Sequence, residues 1–225
     1  METRLENNGD SRRAGSAPVR LAFLISGGGT TLQNFIDRIA AGELAAEIAV
    51  VLASKADAGG LERAKRAGIP AVAVARKQFP DARTFNDALH AELDRHHFDL
   101  ILLAGFLSQF ELRGRYRGRV MNIHPALIPA FCGHGFYGQK VHRAVLEAGV
   151  KITGCTVHFA DDEYDHGPII LQGAVPVLDD DDESTLAQRV HVLENELYPE
   201  AVRLWAANRL EIAGRRVRIR PQPRT

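Results

Sequence analysis

Leu21-Ala22-Phe23-Leu24-Ile25-Ser26-Gly27-Gly28-Gly29-Thr30-Thr31-Leu32 is the stretch on which the fold turns. Its first five residues are apolar without alternation, the pattern of a strand covered on both faces, and three glycines end it. Beyond them the period changes. Leu32, Phe35, Ile36 and Ile39 stand at i, i+3, i+4 and i+7, one apolar helical stripe with Thr30 or Thr31 as its N-cap. The alternation then repeats: a strand at Ile48 to Ala53, a helix over 59–67 stopped by Gly68, a strand at Val72 to Ala75, a helix over 81–97 and a strand at Leu100 to Ala104. This succession predicts an α/β fold with a Rossmann-like, mostly parallel sheet, right-handed crossovers and helices on both faces. Strands at Val120 to Ile123, Thr153 to Phe159 and Ile169 to Val177 follow, with helices near 139–148 and 184–207. Alternation at Thr153, Cys155, Val157 and Phe159 predicts a mixed or antiparallel C-terminal part.

Composition narrows the class. The 225 residues carry 28 basic and 28 acidic side chains, so no polyanionic partner such as nucleic acid is indicated. At 45% hydrophobic and 25% charged, the chain is an ordinary globular one. Two cysteines, Cys132 and Cys155, fit a reducing, cytoplasmic setting, and the apolar runs fall well short of the roughly 20 residues of a membrane span. Residues 1–18 read as a flexible tail, 19–212 as one folded domain, and 213–225 as a basic, solvated tail holding Arg215, Arg216, Arg218, Arg220 and Arg224. Asp179 to Glu183 reads as an exposed acidic loop.

The places for chemistry are the segments after Ile25, Leu103 and Ile123, because ligands of open α/β sheets lie beyond the carboxyl ends of strands. The triglycine turn opens a helix, so its N–H groups and the helix dipole suit a phosphate. It matches neither the ATP-type phosphate loop nor the dinucleotide fingerprint. In Asn122-Ile123-His124-Pro125, strand alternation sends an amide and an imidazole to one face, a pair able to hold an oxyanion. Of the nine histidines, His90, His96 and His97 read as solvent-facing and His158 as a core residue. None shows zinc-ligand spacing, so no metal is expected. The turn Asp162 to Pro168 holds Asp165; a carboxylate beside His124 would orient it, but spacing alone does not bring the two together.

Taken together, Ile25 to Gln33, Leu103-Ala104-Gly105-Phe106, Asn122-Ile123-His124-Pro125, Thr156-Val157-His158-Phe159 and Asp165-His166-Gly167-Pro168 resemble, in order and spacing, the phosphoribosylglycinamide formyltransferases of the folate-dependent formyltransferase superfamily. The resemblance runs from about residue 19 to 212. It implies transfer of the formyl group of 10-formyltetrahydrofolate to the amine of glycinamide ribonucleotide, in a monomer or homodimer. It also implies that Asn122, His124 and Asp165 are catalytic and that Gly29, Thr30 and Thr31 hold the substrate phosphate. Glu194, with His191 in place of the family's glutamine, would hold the rest of that substrate. Arg83, Leu107, Ser108, Gln109, Phe110, Asp161, Asp162, Glu163 and Tyr164 would line the folate site. The chain departs from the family pattern at Thr30-Thr31, where Ser-Asn is usual, and at Leu107-Ser108, where Met-Arg is usual. The segment Cys132 to Gly138 is longer than the family's usual loop and its glycines suggest a movable flap. The alternative readings are a formyltetrahydrofolate deformylase, disfavoured by the short stretch before the first strand, and a non-catalytic folate- or phosphate-binding relative.

Overall fold

The computed structural model describes residues 17–222. Most of the expected N-terminal tail and Arg224 lie outside them. The elements in chain order are β1 (Val19–Ile25), α1 (Thr30–Ala40), β2 (Ala46–Ala53), α2 (Gly59–Arg66), β3 (Ala71–Ala73), α3 (Ala82–Leu93), β4 (Leu100–Leu103), β5 (Val120–His124), α4 (Gln139–Glu147), β6 (Ile152–Phe159), β7 (Ile169–Pro176), α5 (Glu183–Ala206), β8 (Leu210–Ala213) and β9 (Arg216–Ile219). They form one sheet in the order β3-β2-β1-β4-β5-β6-β7-β9-β8. β3 through β5 run parallel, and β6 lies antiparallel to both β5 and β7. No helix among the described residues is long and apolar enough to cross a membrane.

The continuous apolar runs are explained by burial on both sides of the sheet. Leu21, Phe23 and Ile25 of β1 join Val51, Ala53, Leu100 and Leu102 in one core, against α1 and α5. Ala22 and Leu24 join Val50, Leu52 and Ile101 in a second core, against Phe85, Leu89 and Leu93 of α3. Period-two alternation thus persists, with both faces apolar. Phe35 bridges Phe23 and Tyr198 edge-to-face, with centroids 5.1 and 5.6 Å away. Such pairs add about 0.5–1.5 kcal/mol each beyond their buried area. Tyr198 also donates its hydroxyl to the carbonyls of Leu103 (3.1 Å) and Met121 (2.9 Å), tying α5 to the ends of β4 and β5.

Four expectations change. The N-cap of α1 is Gly29, in the left-handed region at φ 73°, and no threonine side chain caps the helix. His90 is buried, its Nε2 bonded to the Glu111 carbonyl at 2.9 Å and its ring packed against both Phe110 and Tyr116, which also touch each other; α3 ends before His96 and His97. The acidic run is a helix start: Asp182 accepts from the Ser184 and Thr185 amides, while Asp181 is clasped by Arg189. Finally, the basic end is not a free tail from residue 213. Leu210 and Ile212 on β8 alternate with polar residues, as Val217 and Ile219 do on β9. Gly214 at φ 61° opens the two-residue turn that closes them into a hairpin at the sheet edge.

Candidate active site

β1 runs into the triglycine turn, and the chain leaves β1 toward β2 on one side while β4 lies on the other, so the carboxyl ends of β1 and β4 flank a topological switch point. The turn is tightly built. A Cβ on Gly29 would lie 2.6 Å from the Gly60 Cα, and one on Gly60 would lie 2.3 Å from the Ile25 side chain. Arg63 of α2 donates to the Gly28 carbonyl (2.8 Å) and to Gln33 (3.2 Å), bracing the turn from outside. Ser26 bonds to Ser54 (2.5 Å) and accepts from the Leu107 amide (2.8 Å), locking this turn to the loop after β4. The first amides of a helix have no intrahelical acceptor, and at the start of α1 Thr30 is exposed and Thr31 half-buried.

Asn122 and His124 leave the same face of β5, as alternation requires. Asp165 sits on the loop between β6 and β7 at φ 53°, a conformation that aspartate tolerates better than most residues. Its carboxylate accepts from Asn122 Nδ2 (3.1 Å) and the Gly133 amide (3.0 Å), and lies 3.4 Å from His124 Nδ1 and 3.7 Å from His158 Nε2. Asn122 Nδ2 is also 3.1 Å from His158 Nε2. His124 Nε2 donates to the Phe131 carbonyl at 2.8 Å. Both nitrogens of His124 therefore face acceptors, and only the imidazolium satisfies both. Burial opposes that charge and is the stronger influence, pulling the imidazole below its ordinary pKa despite Asp165 and the Phe131 carbonyl. For Asp165 burial likewise disfavours the charge. Here the proximity of His158, the neighbouring His124 imidazole and the Gly133 amide outweigh it, and its carboxyl titrates below the usual range. The result is a carboxylate beside an imidazole that burial biases toward its neutral form, so that its imidazolium, when formed, is a stronger acid than usual.

These three side chains open onto a cleft of about 410 Å³. Leu107, Ser108, Gln109 and Phe110 line one wall, Asp161, Asp162, Glu163 and Tyr164 another, and the segment from Gly133 to Gly138 a third. Arg83 is exposed on α3 and does not line it. Glu194 and His191 also lie outside its lining, on α5, where they pair at 3.1 Å. Asn34 of α1 donates to the Asn195 carbonyl at 3.0 Å, holding that part of α5 beside the helix that opens on the triglycine turn. His142 of α4 is buried with Nδ1 unpartnered, and burial pulls its pKa down against the charge of Glu194. Among the described residues no group of three or more His, Cys, Asp or Glu is placed to hold a metal ion.

Sequence reasoning missed His158, the Gly133 amide and the Phe131 carbonyl. The first was set aside as a core residue; the other two are backbone groups with no signal in side-chain identity.

Residues 19–202 match the model of a family described as formyl transferase. The chain belongs to that family. A glycinamide ribonucleotide transformylase 1 from Symbiobacterium toebii superimposes on this formyl transferase with a TM-score of 0.86 at 43% identity, over 92% of this chain and 96% of that one. A phosphoribosylglycinamide formyltransferase from Haemophilus influenzae is 37% identical over 195 residues, 86% of this chain and 90% of that protein. A trifunctional purine biosynthetic protein adenosine-3 from Drosophila pseudoobscura pseudoobscura is 43% identical over 195 residues. The matched part is 85% of this formyl transferase chain but 14% of that relative's length.

Proposed function

We propose that this formyl transferase moves the formyl group of 10-formyltetrahydrofolate to the amine of glycinamide ribonucleotide, giving formylglycinamide ribonucleotide in purine biosynthesis. The observation that carries the reading is the convergence of Asn122, His124 and Asp165 on the cleft, one wall of which, at Leu107, is bonded to Ser26 at the start of the triglycine turn. An amine, a formyl carbon and an anion have complementary partners there.

The substrate phosphate binds the amides of Gly29, Thr30 and Thr31, drawn by the helix dipole. Glu194, braced by His191, receives the glycinamide part. Leu107 to Phe110 and Asp161 to Tyr164 enclose the folate; the apolar and aromatic surface of Leu107, Phe110 and Tyr164 suits a flat ring system. Attack of the amine on the formyl carbon turns the carbonyl oxygen into an oxyanion, which the Asn122 amide and the His124 imidazolium meet with hydrogen bonds. One such donor is worth ~3 kcal/mol of barrier. Asp165 carries the proton lost by the amine toward the departing folate nitrogen and stabilises the imidazolium meanwhile. The Phe131 carbonyl and the Asp165 carboxylate face the two ring nitrogens of His124. Binding must therefore turn at least one of them toward the substrate. The reacting body comprises residues 19–219, acts in the cytoplasm on small molecules and needs no metal.

The test mixes purified protein with 10-formyltetrahydrofolate, with and without glycinamide ribonucleotide. Formylated nucleotide and free tetrahydrofolate formed only with the nucleotide support the proposal. Folate release without it would instead mean a hydrolase, and no release a binding protein.

A further inference from the structure

The hairpin β8–β9 reaches back to the loop that carries Asp165. Arg215, at the hairpin turn, donates Nη2 to the His166 backbone carbonyl at 2.9 Å and Nη1 to His166 Nε2. The other ring nitrogen, Nδ1, is 2.8 Å from Asp161 Oδ2, and Asp161 Oδ1 accepts from the Glu163 amide at 3.0 Å. Arg215 Nη1 also lies 3.3 Å from His166 Nδ1, so the guanidinium is packed against the imidazole ring while the ring's Nδ1 side faces Asp161. His166 is thereby gripped at ring and backbone, one residue past Asp165. The far side of the loop is fixed as well, because a Cβ on Gly167 would lie 1.8 Å from the Phe159 carbonyl, leaving that residue seated on β6.

We propose that Arg215 is a positioning residue for the formyl transfer: through His166 and Asp161 it holds the 161–167 loop in the shape that delivers the Asp165 carboxylate to Asn122 and His124. Asp165 itself sits in the left-handed region at φ 53°, so the direction of its carboxylate is set by the local course of the loop backbone. Its carboxylate contacts of 3.0–3.4 Å with Gly133, Asn122 and His124 all depend on that backbone. A guanidinium suits the task, since its planar fork meets a carbonyl and a ring nitrogen together, whereas an ammonium meets one at a time. Arg215 lies on the C-terminal hairpin, beyond residues 19–202 that match the family model. The inference rests on the proposed role of Asp165.

The experiment compares Arg215→Ala, Arg215→Lys and, as a control, Arg218→Ala, whose side chain lies on the same hairpin opposite Glu211. Amide hydrogen exchange over residues 160–168 is read alongside kcat, KM for each substrate and the pH profile of kcat. In Arg215→Ala the loop amides are expected to exchange at least about ten-fold faster, with kcat falling roughly ten- to hundred-fold as the carboxylate loses its place. KM for glycinamide ribonucleotide should hold, and the limb of the pH profile that reports Asp165 should move. Arg215→Lys recovers part of the loss, Arg218→Ala behaves as wild type, and His166→Ala reproduces the faster exchange from the other end of the contact. Unchanged exchange or unchanged kcat in Arg215→Ala overturns the proposal, as does an equal loss in Arg218→Ala. Should the wild type fail to formylate glycinamide ribonucleotide, the proposed reaction falls, while the exchange comparison still decides whether Arg215 holds the loop.

Discussion

Replacing Asp165 with asparagine keeps the shape of the side chain and removes its charge. The wild-type carboxylate accepts from Asn122 and the Gly133 amide and lies 3.4 Å from His124 Nδ1. At that separation and an effective dielectric near 20, the gross attraction to an imidazolium is about 5 kcal/mol. The observable part is smaller: an adjacent opposite charge shifts a pKa by ~1–3 units, or about 1.4–4 kcal/mol. Burial already holds the His124 imidazole below its ordinary value, and Asp165 is the largest opposing influence, so removing its charge lowers that pKa further. The imidazolium fraction near neutrality then falls ~10- to 1,000-fold. Loss of the proton carrier costs ~100- to 10,000-fold by itself. Both effects act through the one Asp165 carboxylate in the same transition state and are not independent, so they are not multiplied, and kcat is expected to fall ~100- to 10,000-fold with both KM values within roughly three-fold of wild type. Initial rates at saturating substrate measure the first quantity, and an NMR titration of the His124 ring measures the second. A variant that keeps kcat within about five-fold of wild type while His124 titrates unchanged would refute the role given to Asp165.

Gly29→Ala forces a Cβ to 2.6 Å from the Gly60 Cα at φ 73°, so the turn must open; a loss of ~1–3 kcal/mol, or about 2–10 °C in Tm, should accompany a raised KM for the nucleotide, read by calorimetry and kinetics. Tyr198→Phe strips the buried hydroxyl from the Leu103 and Met121 carbonyls at a cost of ~1–3 kcal/mol, measured by denaturant unfolding; an unchanged midpoint would count against the tie between α5 and the strand ends. Glu194→Gln removes the bond that, ahead of burial, raises the His191 pKa above its ordinary 6.5. Because that folded-state pKa is raised, the stabilisation is complete below the unfolded value and disappears as pH rises through the raised one. The Tm gap between wild type and variant should accordingly be widest in mildly acidic solution and close on the alkaline side, as melts across pH will report.

The alternating strands and helices could be read from hydrophobic period alone, because strands buried on both faces are continuously apolar and helices show a stripe. Reading failed where burial is decided by distant partners. His90 looks like a polar helix residue, yet Phe110 and Tyr116 close over it. The alternation of Val217 and Ile219 with arginines was taken for a solvated end because charge masked the strand pattern. Within the site, Asn122 and His124 shared a face by simple strand geometry, and the triglycine turn was legible as the tight connection that opens α1.

What the sequence by itself determined is the set of local devices: the double-faced strands, the glycine turn that opens α1 and the Asn-Ile-His pair. The tertiary structure alone decided that Asp165 meets His124 across 41 residues of chain, that His158 belongs with them and that Arg215 reaches the same loop. Period and propensity act over a few neighbouring residues, whereas a carboxylate finds its partner through the pairing of β5 with β6 and the bend of the loop that follows, neither of which leaves a mark in the spacing of the residues that meet.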